Sequence, residues 1–497
     1  MSPSLVITMG KPGRWVALSH CWGGDIPSST TMDNFDSRLM SFPMEKLPRN
    51  FQGAIAVTRA FGYRYLWIDS LCIIQNSPGN MDWATESLLM NHVYENADLT
   101  IVADSAGTSQ DGFLIRYADI TSVPIPYESI RLNTQGTIFI RPFLDPKPAG
   151  PLQQRAWTLQ EETLSRRCLY FTKNCLVWVC LESFKSEKDF HPWESQKGLI
   201  QQVFTQNFHS TSPMKIEDFK LEPGDTMGEW YTLVSEYSNR SITFGRDRFP
   251  AIAALAQLVH RKTGLSYKAG LWLEDMHRGL LWEARSPRIR CYQEWQAPSW
   301  SWASQNFTGC TEQSRPYIQV LWKRFPCEDY EMAEIIECNV KTLHDNPYGQ
   351  VISAALKICG LTQRANYWKT EPVLLASDDE MVADYKTGTI APGVIRNNAQ
   401  HSDKIACIID DLWDWGDSWD GDLSHWVQQT GFQSRVIYIQ VAKFKSTPDG
   451  LGVLYALILE PMKTSHEYRR RGIAILTETL KGMKARVGWA KKTVTIV

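Results

Sequence analysis

Three short stretches in the first hundred or so residues have the composition of reactive sites. Ser19-His20-Cys21-Trp22-Gly23-Gly24 brings a hydroxyl, an imidazole and a thiol together; Asp69-Ser70-Leu71-Cys72 adds a carboxylate and a second thiol; Asp104-Ser105 adds another carboxylate. Each follows a run that reads as a buried strand: Trp15–Leu18, Tyr65–Ile68 and Leu99–Ala103. Between these runs the pattern is helical, over about Pro48–Phe61 with Gly62 behind it, and over about Met81–Tyr94. Strand–helix–strand–helix–strand at this spacing predicts a parallel sheet with right-handed crossovers. Ligands of such sheets bind beyond the carboxyl ends of the strands, where all three clusters fall. The alternative is structural: Asp69 and Asp104 cap turns, and Cys72 packs under the sheet.

Glu86 carries a different signal. Trp83, Ser87, Met90, Tyr94 and Ala97 follow the spacing of a buried helical stripe, and Glu86 lies on or beside it. A carboxylate at the margin of an apolar face is costly unless paired, which makes it a candidate for a raised pKa and a chemical role. The competing expectation is an ion pair with Arg59 or Arg155. For Cys21, nucleophilic chemistry needs a base. Neighbours on an extended chain point to opposite faces, so His20 is not expected to serve it; His92 would do so only if its helix turned it inward.

The familiar phosphate-loop, dinucleotide, nucleophile-elbow and HExxH metal motifs are absent. Asp410–Asp422 is rich in aspartate but lacks the EF-hand ligand pattern, and reads as a solvated acidic loop. Arg469-Arg470-Arg471 and the basic tail near Lys491 read as ordinary surface. Cys168, Cys175 and Cys180 lack zinc-finger spacing and read as structural, so no metal is expected.

The chain has 497 residues, 43% hydrophobic and 21% charged, with 52 basic against 54 acidic side chains. That is globular composition without the basic excess of a nucleic-acid or anionic-membrane binder. There are 11 cysteines and no CxxC, as expected for free thiols in a reducing compartment. With no evident signal peptide and no apolar run approaching the roughly 18 residues of a bilayer span, a cytoplasmic protein is expected. The 20 tryptophans recur along the whole length, which argues for several aromatic-rich cores.

The first block, Trp15 to Gly23 (WVALSHCWG), the second, Trp67 to Gln75 (WIDSLCIIQ), and Asp82-Trp83 with Glu86, Met90, Tyr94 and Ala97 resemble the three core blocks of the fungal heterokaryon-incompatibility (HET) domain. A fourth block agrees: Arg155 to Glu161 (RAWTLQE), then Ser165, Arg167, Trp178 and Cys180. Further matches (Gly270-Leu-Trp, Leu280-Leu-Trp282, Pro298 to Ala303, Tyr468-Arg-Arg) resemble the C-terminal part of many such proteins but name no chemistry. Family members often carry a long segment before the first block; its near-absence here leads one to expect different regulation or a shortened form. The resemblance implies a cytosolic fungal protein that triggers cell death when genetically different cells fuse, acting with protein partners of an incompatibility system and by self-association.

HET domains are also similar to TIR domains, some of which cleave NAD at the nicotinamide–ribose bond with a glutamate on a helix shortly after a tryptophan. Trp83-Ala-Thr-Glu86 is similar to that arrangement. The resemblance therefore implies NAD as a candidate substrate rather than a resident cofactor. Glu86, Asp69, Cys21 and His20 are its catalytic candidates, and Ser19, Trp22, Gly23 and Trp83 its nucleotide-binding ones. The expected architecture is α/β: a parallel-sheet, TIR-like HET domain over 1–185, a linker and helical region over 186–296, and a β-rich domain over 297–497. Two other functions stay open at this point, a non-catalytic TIR-like scaffold and a biosynthetic enzyme using the His20/Cys21 rim. Under the catalytic reading Glu86→Gln should fold normally and lose activity.

Overall fold

The computed structural model describes residues 2–117 (except 25 and 27), 122–140 (except 130, 132 and 133), 148–187 (except 181 and 182) and 226–285, and then 290–291, 295–306, 317–320, 330–343, 346–364, 372–374, 394–397, 404–409, 437–444, 451–462, 466–479 and 490–497. Asp410–Asp422 lies outside them. The chain divides into two compact units, 1–206 and 207–497.

The first unit is built on a six-stranded sheet. Its strands are β1 (Trp15–Ser19), β2 (Tyr65–Trp67), β3 (Leu99–Val102), β6 (Arg167–Phe171), β7 (Leu176–Cys180) and β8 (Phe184–Ser186), in the order β2-β1-β3-β6-β7-β8. β2, β1, β3 and β6 are parallel neighbours; β7 and β8 continue antiparallel. The sheet is therefore mixed, with the expected parallel half extended by the β6–β7 hairpin and β8. Since β2 and β3 flank β1 on opposite sides, the strand order reverses at β1, and it is beyond the strand ends at such a reversal that open α/β sheets bind their ligands.

Alternation along the strands sorts the two faces. Val16, Leu18, Leu99, Ile101 and Ala103 join Phe51, Ala54 and Ile55 of helix α2 (Arg49–Ala60) in one apolar core. Helix α2 ends at Gly62, whose positive φ of 77° lets its N–H return to the Arg59 carbonyl. The intervening strand residues point the other way, toward α4 (Met81–Asn96) and α5 (Ala156–Leu164). There Val102, Cys168, Tyr170 and Val177 pack with Cys21 and Leu152. That face also buries polar side chains: Ser19, Thr100, Glu161 and Ser165.

Three further elements lie in this unit: α1 (Phe35–Met40), α3 (Asp69–Cys72), and a separate antiparallel ribbon of β4 (Val123–Ser129) and β5 (Thr134–Ile140). None of these was apparent from the sequence pattern alone.

The second unit has two long helices, Thr226–Ser238 and Pro250–Thr263, and a ten-stranded sheet that includes the long antiparallel strands Val351–Arg364, Ile437–Phe444, Leu451–Pro461 and Tyr468–Thr479. It is β-rich, as expected, though the two helices and this sheet fall in one compact unit. Trp230, Trp272, Trp282, Trp300 and Trp302 are wholly buried. The Gly270 carbonyl accepts hydrogen bonds from the indoles of both Trp230 and Trp302. A Cβ at Gly270 would strike the Trp302 ring, so only glycine permits this approach.

The arginine run corrects the surface reading. Arg470 and Arg471 are buried: the Arg470 guanidinium lies 3.5 Å from the Trp282 ring centroid and donates to the Trp282 carbonyl, while Arg471 pairs with Glu460 at 2.8 Å. Charge in sequence suggested solvent; an aromatic face and paired acceptors made burial affordable. No described helix is long and apolar enough to cross a membrane.

Candidate functional site

The carboxyl ends of β1 and β2 meet around Asp69. The Trp22 indole donates to one Asp69 oxygen at 2.8 Å, and His20 Nδ1 stands 3.9 Å from the other. Asp69 also accepts from the Ser70 N–H at 2.7 Å, opening the short helix α3. The loop after β1 is fixed from behind. Gly23 has φ 74°, and a Cβ there would run into the Thr108 side chain and backbone. The Ser109 N–H bonds to the Trp22 carbonyl. Glycine is thus required by both conformation and space, and it sets where Trp22 and Asp69 meet.

His20 and Cys21 are both buried but face opposite ways. The His20 ring packs edge-on to Phe51 of α2, centroids 5.1 Å apart. Cys21 belongs to the core beside Val102, Leu152 and Cys168. Burial drives the His20 pKa down to about 4, so the ring is neutral at physiological pH; Asp69 opposes that shift, and the His20 Nε2 is buried with no hydrogen-bond partner among the described residues. Burial raises the Cys21 thiol, against the pull of the nearby Arg155 guanidinium. Cys21 therefore has Arg155, rather than His20, for a polar neighbour. His92 is exposed on α4. Cys72 is pushed up to about 12 by burial and stays a thiol.

On the α4/α5 face, the Ser19 hydroxyl donates to Glu161 Oε2 at 2.5 Å, both residues being buried. Burial lifts the Glu161 pKa to about 7, opposed by the Ser19 hydrogen bond and by Arg155 and reinforced by Asp69. Tyr94 of α4, whose hydroxyl also reaches the Leu18 carbonyl at 3.2 Å, hydrogen-bonds to Glu161 as well, and its own pKa is raised well above normal, chiefly by burial. Arg155, at the start of α5, donates to the His20 carbonyl at 2.8 Å and so ties that helix to the end of β1. Glu161 is the residue that the chemical reading of the sequence passed over. It stood in the fourth block as one of a run of helical residues, and only the packing of α5 across the end of β1 turns it toward Ser19.

Glu86 is half-buried on α4, its pKa raised by burial and by Asp82. Among the described residues no hydrogen bond or ion pair joins it to the His20–Asp69–Trp22 group, nor to Arg59 or Arg155. It shares a helical stripe with Met90 and Tyr94, and eight residues place it about 12 Å along the axis from Tyr94. Trp83, one turn earlier, packs edge-on to Trp157 of α5 at 6.2 Å. Asp104 is buried beyond β3 and accepts from the Gly150 N–H at 3.1 Å, holding the chain as it enters α5. Among the described residues no three His, Cys, Asp or Glu side chains converge as metal ligands.

Residues 15–161 match the family model of the heterokaryon incompatibility protein (HET). This segment is a HET domain. Neither the curated proteins nor the solved structures yield a match to the chain. The matched span opens at Trp15 of β1 and closes at Glu161 of α5, so the HET domain contains both halves of the Ser19–Glu161 contact and the whole His20–Asp69–Trp22 group.

Proposed function

We propose that the HET domain acts in an incompatibility response as a cell-death module, and that its crevice cleaves the N-glycosidic bond of a nucleotide of the NAD class. The observation that carries this reading is the Ser19–Glu161 pair at the strand-order reversal, with a carboxyl poised near neutrality. Breaking a glycosidic bond builds positive charge on the ribose, and a carboxylate in a site of low dielectric stabilises that charge more than water does. Ser19 and Tyr94 orient Glu161. Trp22 and Trp83, both half-buried, offer ring surfaces to a base, and Asp69 holds Trp22 in place. Glu86 supplies a second carboxylate on the same helix as Tyr94, toward the rim.

A scaffolding reading rests on a specific observation of its own. Ser19–Glu161, Thr100–Ser165 at 2.7 Å and Tyr94–Leu18 fasten α4 and α5 to the sheet, as buried polar staples would without any reaction. Incubating purified protein with NAD and measuring released nicotinamide separates the two. Catalysis predicts turnover that Glu161→Gln abolishes at near-normal melting temperature, together with loss of killing in fungal cells. Absence of nicotinamide release from a protein that still kills would sink the glycosidase reading.

A further inference from the structure

Between His20 and Asp69 there is a gap that neither residue closes. The Asp69 side chain is 22% accessible, and of the roughly four lone-pair sites of a carboxylate the Trp22 indole and the Ser70 N–H take two. His20 stands opposite with a side chain only 1% accessible, its Nδ1 3.9 Å from Asp69 Oδ1. That separation is too long for a hydrogen bond. Burial keeps the ring neutral, so no ion pair spans it either. On the far side of the ring Nε2 is buried with no partner among the described residues.

The charge of Asp69 favours the single ring proton on the near nitrogen, Nδ1. The gap then presents one donor, Nδ1–H, and one acceptor, Oδ1. An anion is repelled by Asp69, and an ammonium has no lone pair to offer Nδ1–H. A hydroxyl answers both. An oxygen about 2.8 Å from each atom fits between them with an angle of about 90° at the oxygen. The place also suits a sugar. Asp69 follows β2 beside β1, where the strand order reverses, and its charge acts on both Glu161 and Tyr94. In dinucleotide-binding sheets a carboxylate near such a reversal accepts from a ribose hydroxyl.

Resting on the nucleotide reading above, we infer that His20 and Asp69 together bind one hydroxyl of the substrate, on the ribose whose glycosidic bond faces Glu161. The hydroxyl donates to Asp69 Oδ1 and accepts from His20 Nδ1–H. The pair holds the sugar against Glu161 and selects a ribose over a deoxyribose lacking that hydroxyl.

The experiment is titration calorimetry on the full chain carrying Glu161→Gln, so that no ligand is consumed. The probes are NAD and its two analogues lacking the 2′- or the 3′-hydroxyl of the nicotinamide ribose. One analogue should bind roughly 10- to 100-fold more weakly than NAD, the worth of a hydrogen bond to a charged group. In the same background Asp69→Asn removes the charge and His20→Phe keeps a ring against Phe51 while deleting Nδ1. Each, at an unchanged melting temperature, should shrink that ratio at least threefold, and the double variant should bring it near one. A purely structural role, or a slot that holds only water, would instead change the affinity for all three ligands equally. Equal binding of the three ligands, an equal loss for all three in the variants, or no binding of NAD to either this chain or wild type would each overturn the proposal. Nicotinamide release by wild type is read separately. Hydroxyl selectivity without release would remove the glycosidase reading and leave this site standing; release without selectivity would do the reverse.

Discussion

The two units differ in the charged groups they bury. In the second, most of the described buried charges are arginines, and four of them stand in fixed arrangements: Arg470 on the Trp282 ring, Arg471 with Glu460, Arg278 beside Asp275 and over Tyr231, Arg240 with Glu236. Guanidinium stays charged at any physiological pH, so these contacts set a structure and do not respond to protons. In the HET domain the buried groups are a carboxyl lifted to about 7, an imidazole lowered to about 4 and a raised thiol. Their charge is what burial alters. Shifted titration gathered at the end of a parallel sheet is what supports the proposed chemistry there; paired charge in an aromatic core supports a structural role.

The sharpest way to break this contrast is to remove one carboxylate at a time. If activity resides in the HET domain, Glu161→Gln should lower nicotinamide release by a factor on the order of 10² to 10⁴. Glutamine still accepts from Ser19, so the melting temperature should move little. Glu86→Gln is the companion measurement. A comparable loss there would place a second catalytic carboxylate on α4, whereas undiminished release and toxicity would leave Glu86 a bystander.

A substitution in the second unit should do the reverse. Trp282→Ala deletes a wholly buried ring, its hydrogen bond to the Trp300 carbonyl at 2.9 Å and the platform under Arg470. Denaturant melting should show a loss of about 3–5 kcal/mol. A loss under 1 kcal/mol would mean that the aromatic core is not what holds this unit.

The pH dependence of stability sharpens the comparison further. Glu161 is raised from 4.5 to about 7. Between those values the unfolded chain has released a proton that the folded one keeps, so its contribution to stability is present below about pH 4.5 and is lost as pH rises toward 7. His20 is lowered from 6.5 to about 4, so its contribution is present above 6.5 and lost as pH falls toward 4. The two slopes, each about 1.4 kcal/mol per pH unit, oppose and largely cancel between about pH 4.5 and 6.5. Relative to wild type, stability of Glu161→Gln should rise with pH across that window, and that of His20→Gln should fall. Parallel curves for all three proteins would show that neither group is shifted by burial. The smallest effect concerns Cys21: buried and raised, it should label more slowly in the native protein than a free thiol, and fast selective alkylation would restore it as a nucleophile.

Much of the HET domain was legible in the residues themselves. The apolar runs at Trp15, Tyr65 and Leu99 alternate with helical stripes, and period alone dictates strand or helix there, so β1–β3, α2 and α4 fall within a residue or two of expectation. The opposition of His20 and Cys21 was legible for the same reason, since adjacent residues of extended chain cannot share a face. Three things were decided only by tertiary structure. Glu161 lies 142 positions from Ser19, and no local pattern announces a contact across that separation. Arg470 reads as surface because a run of three arginines is costly to bury, until Trp282, 188 positions away, supplies a ring and a carbonyl. The ribbon β4–β5 escaped notice because its prolines argue against a strand, and they are tolerated only where the backbone N–H would have faced outward. Periodicity fixes what each segment can be; which buried carboxyl meets which hydroxyl depends on how distant segments pack, and that packing sets the pKa on which any chemistry would depend.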